Sequence, residues 1–169
     1  MNTGQMIITI GAMMLVTILV LRISSTQMTA QESMQSSKFG ILAISIANSV
    51  VEQATNKAFD EYSVDNYLTS TNQLSIFLGP GPGEDSLEAF KDFDDFNGYT
   101  KVYSNLPDSP PLQLTCVVNY VDPDAGGNQV QITGNRTWHK MITVTITSAD
   151  STKMDVLTFR KVFSYFKFI

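Results

Sequence analysis

The chain has 169 residues, which is enough for one ordinary folded domain with its core and too few for two. Charged residues make up only 16% of it, below the roughly 25% that is typical of soluble domains, so we expect part of its surface to face something other than water. The net charge of −5 supplies no excess of cations for phosphate groups, which argues against nucleic acid as a partner. With one cysteine, Cys116, the chain can form neither an internal disulfide nor a multi-thiolate metal site.

The first element in chain order is an apolar segment at residues 6–21, which is interrupted only by two threonines and a glycine. No charged residue precedes Arg22, and the segment lies near the lower limit of a membrane span, roughly 17 residues. A cleaved secretory signal would need a basic leader and a cleavage site of small residues, and a soluble core helix would keep a polar face. Because the segment lacks these features, we favour a helix that is surrounded by lipid or by other apolar helices.

The helix is predicted to continue beyond this segment. Residues 23–37 are polar but include no proline or glycine, and the first proline of the chain is Pro80. An apolar stripe with spacings of three and four follows, which suits a helix that covers a sheet. The sequence therefore predicts one unbroken helix from about residue 5 to about residue 62. The stripe consists of Phe39, Leu42, Ala43, Ile46, Ala47, Val50, Ala54 and Ala58.

Strand patterns occupy the C-terminal part of the chain. A glycine and proline run at residues 79–83 lies in a loop-rich region, which we predict over residues 63–111. Beyond it, apolar residues alternate with polar ones in a way that is typical of half-buried strands. The predicted strands lie at residues 112–120, 130–132, 142–147 and 156–168.

Together these elements predict an α+β fold, in which a long N-terminal helix, apolar in its first half and amphipathic in its second, packs on a C-terminal antiparallel sheet. Residues 1–38 are expected to form a membrane or filament-core helix, and residues 39–169 a globular head. The head would comprise the second half of the helix, the loop at 63–111 and the sheet at 112–169. One face of the last strand packs on the helix in this interpretation, which leaves the other face for a neighbour.

This order of elements resembles the architecture of the type IV pilin and pseudopilin family. In sequence, the resemblance rests on residues 4–21. The family's prepilin peptidase cuts after a glycine just before the apolar segment, and Gly4 followed by Gln5 occupies that position. The leader of this chain is uncharged, whereas family leaders are usually basic. Thr9 stands at the fifth position after Gly4, where the family usually has a glutamate.

The resemblance implies a structural subunit of an extracellular helical filament at the cell surface, without enzymatic activity. A monomer would hold its apolar half in the membrane and exchange lipid for identical helices on assembly, so its partners would be copies of itself, the membrane and the pilus assembly machinery. The alternative is a signal-anchored membrane protein whose extracytoplasmic domain binds a partner without forming filaments. The expected self-assembly residues are Ile7, Ile8, Ile10, Met13, Met14, Leu15, Ile18 and Leu19.

An acidic segment lies within the predicted loop, between residues 84 and 95. We expect a solvated loop, because carboxylates this close together repel one another unless water or a cation screens them. A calcium site at Asp92, Asp94 and Asp95 is the weaker alternative, since some pilin-like proteins carry calcium in their C-terminal loops. The spacing does not match an EF-hand, because counting back from Gly98 puts Phe93 where the first aspartate belongs. The six acidic residues are Glu84, Asp85, Glu88, Asp92, Asp94 and Asp95.

The remaining candidates for chemistry are isolated. His139 is the only histidine and begins a predicted strand, so we expect a residue at the sheet surface and not a catalytic base. Cys116 alternates with apolar neighbours and is expected to be a buried, inert thiol. Asn135 begins a glycosylation sequon. The sequence therefore predicts no catalytic residue and no cofactor other than the calcium alternative.

Overall fold

The computed structural model describes residues 2–106, 109–125, 127, 130–148 and 156–166. It confirms the α+β class, with a long N-terminal helix and a five-stranded antiparallel sheet. Residue contacts divide the chain between Phe39 and Gly40 into two units, which we call the first unit and the second unit. The whole sheet belongs to the second unit.

Helix α1 spans Thr3–Thr55 without a break, which confirms the predicted continuity across the polar segment. Threonine hydroxyls in this region donate to carbonyl oxygens one turn earlier. Thr26 Oγ1 lies 2.9 Å from the Arg22 oxygen, and Thr29 Oγ1 lies 3.0 Å from the Ser25 oxygen. Because these bonds satisfy the hydroxyls on the helix itself, the polar segment does not end it.

In the first unit, every described residue before Phe39 is exposed. By length and composition alone, the helix is long and apolar enough to cross a membrane. The apolar side chains at residues 6–21 lie on all sides of it, so this unit has no buried core of its own.

In the second unit, α1 buries a face rich in alanine, which allows the close approach of neighbouring elements. The helix ends at Thr55, earlier than the predicted end near residue 62. Tertiary hydrogen bonds explain the difference: the Ala58 N–H donates to the Lys91 oxygen at 3.4 Å, and the Phe93 N–H donates to the Ala58 oxygen at 2.9 Å. These bonds use backbone groups that a longer helix would need. The buried face consists of Ala43, Ala47, Val50, Val51 and Ala54.

The sheet has the order β1-β2-β4-β5, with a short β3 paired to the end of β2. All pairs are antiparallel, and Cys116 on β2 lies opposite Val144 on β4, which lies opposite Phe159 on β5. Every second residue of β2 and β4 is buried over most of their length, as the alternation predicts. The strands are β1 Thr100–Tyr103, β2 Leu112–Asp122, β3 Gln131–Ile132, β4 His139–Ser148 and β5 Val156–Ser164.

Two strand predictions need comment. Strand β1 lies inside the region predicted as loop at 63–111, so that prediction is wrong there. Because β1 is short and mostly exposed, its sequence shows no apolar alternation that would identify it. The last predicted strand ends at Ser164, and its residues 167–168 lie outside the described residues.

Candidate functional site

The predicted self-assembly residues lie together on the exposed surface of the first unit. Each of them is between 52% and 72% exposed. A continuous apolar surface of this kind exceeds the patches that soluble monomers usually carry, and such surfaces mark contacts with membranes or proteins. Gly11 adds a point without a side chain, where a second helix can approach closely. These residues are Ile7, Ile8, Ile10, Met13, Met14, Leu15, Ile18 and Leu19.

The acidic segment is not the solvated loop that we predicted. Asp92, Asp94, Asp95 and Glu84 are all buried, whereas Asp85 is exposed in the same segment. The prediction failed because it considered only repulsion between neighbours in sequence. Burial is possible here because the structure supplies each of these carboxylates with hydrogen-bond donors.

Two of the aspartates shape the backbone of their own turn. Asp92 Oδ1 accepts from the Asp94 N–H at 2.9 Å and from the Asp95 N–H at 3.2 Å. Asp95 Oδ2 accepts from the Lys91 N–H at 2.7 Å and from the Asp92 N–H at 3.1 Å. Asp92 thus occupies the first two N–H groups of a short 3₁₀ turn at Asp94–Phe96, and Asp95, which lies in that turn, occupies two N–H groups that precede it.

Lys140 on β4 lies at the centre of this region and is fully buried. Its Nζ donates to Asp60 Oδ2 at 2.8 Å, to the Phe59 carbonyl oxygen at 2.8 Å, and to Asp94 Oδ1. All three ammonium protons therefore have acceptors. The same nitrogen lies 4.7 Å from the ring centre of Phe59 and 5.3 Å from that of Tyr120. We call Lys140, Asp60, Asp92 and Asp94 the lysine cluster.

Asp60 is held as an anion. Burial alone would raise its pKa, but the charge and hydrogen bond of Lys140 and the N–H groups of Ser75 and Tyr62 together lower the pKa below its usual value. Ser75 contributes both its N–H, 3.0 Å from Asp60 Oδ2, and its hydroxyl, 3.0 Å from Asp60 Oδ1. This carboxylate is therefore well stabilised in its charged form.

The other two carboxyl groups of the lysine cluster are pushed towards protonation. Burial raises the pKa of Asp94 more than Lys140 lowers it. Burial, followed by the negative charges of Asp94 and Asp95, raises the pKa of Asp92 to about 8. The Asp92 and Asp94 side chains also share a hydrogen bond. At neutral pH Asp60 is thus an anion, and Asp92 keeps a proton that its hydrogen bond directs to Asp94.

The calcium alternative finds no converging ligand set in the described part of the chain. No three carboxylate, histidine or cysteine side chains there are placed to hold a metal ion. Asp92 and Asp95 use oxygens on backbone N–H groups, and Asp94 uses one on Lys140. Calcium binding stays a prediction for calorimetric titration of the full chain, which would show a stoichiometric micromolar site if the alternative holds.

Sequence reasoning missed Lys140 and Asp60. The signal for Lys140 was available, because it has the same parity as Ile142, Val144 and Ile146, which alternation already places on the inward face. A lysine in that register must find buried acceptors. Asp60 offered no comparable signal, because its partner lies 80 residues away along the chain.

The isolated candidates His139, Cys116 and Asn135 lie in different environments. His139 begins β4 as predicted, is half-buried, and its Nδ1 lies 2.7 Å from the Ser164 hydroxyl on β5. Cys116 is buried, as predicted, and burial raises the pKa of its thiol to about 12, which disfavours the reactive thiolate. Asn135 is exposed.

No protein-family model, curated protein or solved structure matches this chain. What it shares with pilins is architecture: a long N-terminal apolar helix and an antiparallel sheet on which the helix packs.

Proposed function

We propose that this chain is a structural subunit of a type IV pilus-like extracellular filament and not an enzyme. The carrying observation is the apolar surface at residues 6–21, which surrounds an exposed helix on all sides. A chain that exposed this surface to water would aggregate, so the surface needs a lipid or protein environment. We assign it to the membrane before assembly and to a bundle of identical helices afterwards.

Close packing between identical helices is the interaction that would favour the bundle over the membrane. Burying one large apolar side chain is worth about 1.5–3 kcal/mol relative to leaving it in water. Helices in lipid gain little of this from one another, so close packing at positions such as Gly11 must supply the preference for the bundle. A repeated contact that does not close on itself then produces an open helical filament. Export of the filament through pilus assembly machinery rests on the family resemblance alone.

The experiment compares two methionines on the same helix. Met13 lies in the apolar segment and is 72% exposed, and Met34 lies in the polar segment and is 61% exposed. We expect Met13→Lys to abolish filaments, because a charge would be buried in the filament core, and Met34→Lys to leave them intact. Negative-stain microscopy of sheared surface material detects the filaments, and mass spectrometry identifies the subunit.

Membrane fractionation of each variant is the control, because a subunit that fails to insert cannot assemble. Filaments of wild-type abundance from an inserted Met13→Lys variant would contradict the proposal. A wild-type chain that stays monomeric in the membrane would favour the signal-anchored alternative instead.

A further inference from the structure

The lysine cluster holds an amine and a carboxyl group in direct contact, out of reach of water. Lys140 Nζ touches Asp94 Oδ1, and the Lys140 and Asp94 side chains are 0% and 3% exposed. We propose that these two side chains condense spontaneously into an isopeptide bond, which would be an intramolecular cross-link within the second unit. The inference does not depend on the proposed filament.

The geometry supplies the orientation that an amide-forming reaction needs. Asp60 and the Phe59 carbonyl oxygen hold Lys140 Nζ from two further directions, each at 2.8 Å. Well-oriented groups in one molecule react as if at about 10⁵–10⁸ M. The Phe59 and Tyr120 rings beside the nitrogen help to exclude the water that would favour hydrolysis.

The number of carboxyl groups is larger than an ion pair requires. One ammonium needs one carboxylate, yet Lys140 Nζ contacts both Asp60 and Asp94, and Asp92 shares a hydrogen bond with Asp94. A buried ion pair is often no more stable than apolar residues of the same volume. Condensation removes one buried positive and one buried negative charge and leaves a neutral amide. It therefore relieves the desolvation of these two groups, while Asp60 keeps its hydrogen bonds from Ser75 and Tyr62.

The carboxyl groups differ in the roles that they can take. Asp60 is stabilised as an anion by Ser75 and Tyr62, which makes it a poor electrophile and a poor proton acceptor, so its role is to hold Lys140 Nζ in place. Asp94 lacks those donors and shares a hydrogen bond with the side chain of Asp92. Asp92 can therefore donate a proton to Asp94 and make its Cγ electrophilic.

The step balances without any further reactant. Lys140 Nζ passes one proton to the Asp94 oxygen that it contacts. The neutral nitrogen then attacks Cγ of Asp94 while Asp92 donates a proton to the Asp94 carboxyl group. The new bond joins Nζ to Cγ, and the broken bond joins Cγ to the departing oxygen. The nitrogen loses two protons in all, and both end on that oxygen, one directly and one by way of Asp92. The products are the amide and one water molecule, with Asp92 regenerated and Asp60 unchanged.

Tryptic mass spectrometry of the purified full chain tests the proposal without any variant. Trypsin cleaves after Lys91, Lys101, Arg136 and Lys153. When the cross-link blocks cleavage at Lys140, this gives two peptides, residues 92–101 and residues 137–153. We expect one species that joins them, with a mass lower than their sum by one water molecule, and no cleavage after Lys140. Separate peptides, with cleavage after Lys140, would overturn the proposal.

Variants then assign the roles. We expect Asp94→Ala and Lys140→Arg to abolish the linked species, and Asp94→Asn to form it with loss of ammonia. Asp92→Asn should slow its formation by a factor of about 10² or more, as removal of a general acid does. Asp95→Asn is the matched control, because Asp95 is equally buried on the same turn but does not contact Lys140, and it should link like the wild type. A linked species in Asp94→Ala would show that Asp94 is not the electrophile and would overturn the assignment.

Discussion

Two lysines of the second unit form ion pairs of the same length in different surroundings. Lys140 Nζ lies 2.8 Å from Asp60 Oδ2, with both side chains fully buried, whereas Lys91 Nζ lies 2.8 Å from Glu84 Oε1 with the lysine side chain 62% exposed. Water screens the second pair and competes for its hydrogen bonds. Equal distances therefore correspond to very different energies.

We expect Lys140→Met to lower the free energy of unfolding by at least about 3 kcal/mol, because it removes the buried nitrogen that binds Asp60 and Asp94, whether as an ammonium or as the linked amide. Lys91→Met should have a much smaller effect, because Lys91 is exposed and Glu84 keeps its hydrogen bond from the Gly81 N–H at 2.7 Å. Denaturant unfolding measures both, followed by the fluorescence of Trp138, which is the only tryptophan and stacks on Tyr165. Equal effects of the two substitutions would contradict the distinction.

Asp92 predicts that stability falls as pH rises. Its pKa is raised from 3.8 to about 8, first by burial and then by the charges of Asp94 and Asp95, against the opposing charge of Lys140. Between these two values the folded chain keeps a proton that the unfolded chain releases. The contribution of the Asp92 proton to the free energy of unfolding is full below the unfolded pKa. It declines by at most about 1.4 kcal/mol per pH unit between the two pKa values and is lost above the folded pKa.

The control for this pH dependence is Asp92→Asn, with both proteins measured in their unlinked form. An asparagine oxygen can still accept from the Asp94 and Asp95 N–H groups, as Asp92 Oδ1 does, but it does not titrate. We expect the variant to lose most of the decline between about pH 4 and pH 8 and to be the more stable protein at the upper end. Denaturant midpoints at a series of pH values give the slope, and an unchanged slope would assign it to another group.

At the scale of elements, the sequence predicts the features that local patterns determine and misses those that distant contacts determine. Alternation located β2 and β4, because burial of one sheet face imposes a period of two on the residues themselves. The end of α1 and the burial of Asp94 escaped prediction, because both depend on partners far along the chain. Asp94 and Lys140 are 46 residues apart, and no periodicity reports such a pairing.

The alanine face of α1 carries a prediction about packing. Ala47 is fully buried, whereas Ala30 is exposed on the same helix. We expect Ala47→Leu to lower the free energy of unfolding by about 1–3 kcal/mol, because the added atoms force neighbouring elements apart. Ala30→Leu makes the same chemical change where there is space, and should leave stability nearly unchanged. Thermal unfolding of the two variants compares them directly, and equal melting temperatures would contradict close packing at Ala47.

At the scale of the whole molecule, the two units predict different behaviour when separated. The buried core lies in the second unit, and the exposed apolar surface lies in the first. A chain that starts at about residue 30 should therefore be a soluble monomer, because it keeps the amphipathic half of α1 and loses the all-round apolar half. Size-exclusion chromatography checks this expectation. Filaments or large assemblies of the truncated chain would show that self-association does not need residues 6–21.

The hydrogen bonds around Asp60 also set the route of mechanical force. α1 ends at Thr55, and Asp60 follows shortly after it and binds Lys140 on β4, which is paired along its length to β2 on one side and β5 on the other. A pull along the helix thus reaches a central strand and not an edge strand. To leave the sheet, that strand would have to break backbone hydrogen bonds to two neighbours, whereas an edge strand such as β5 is held by one.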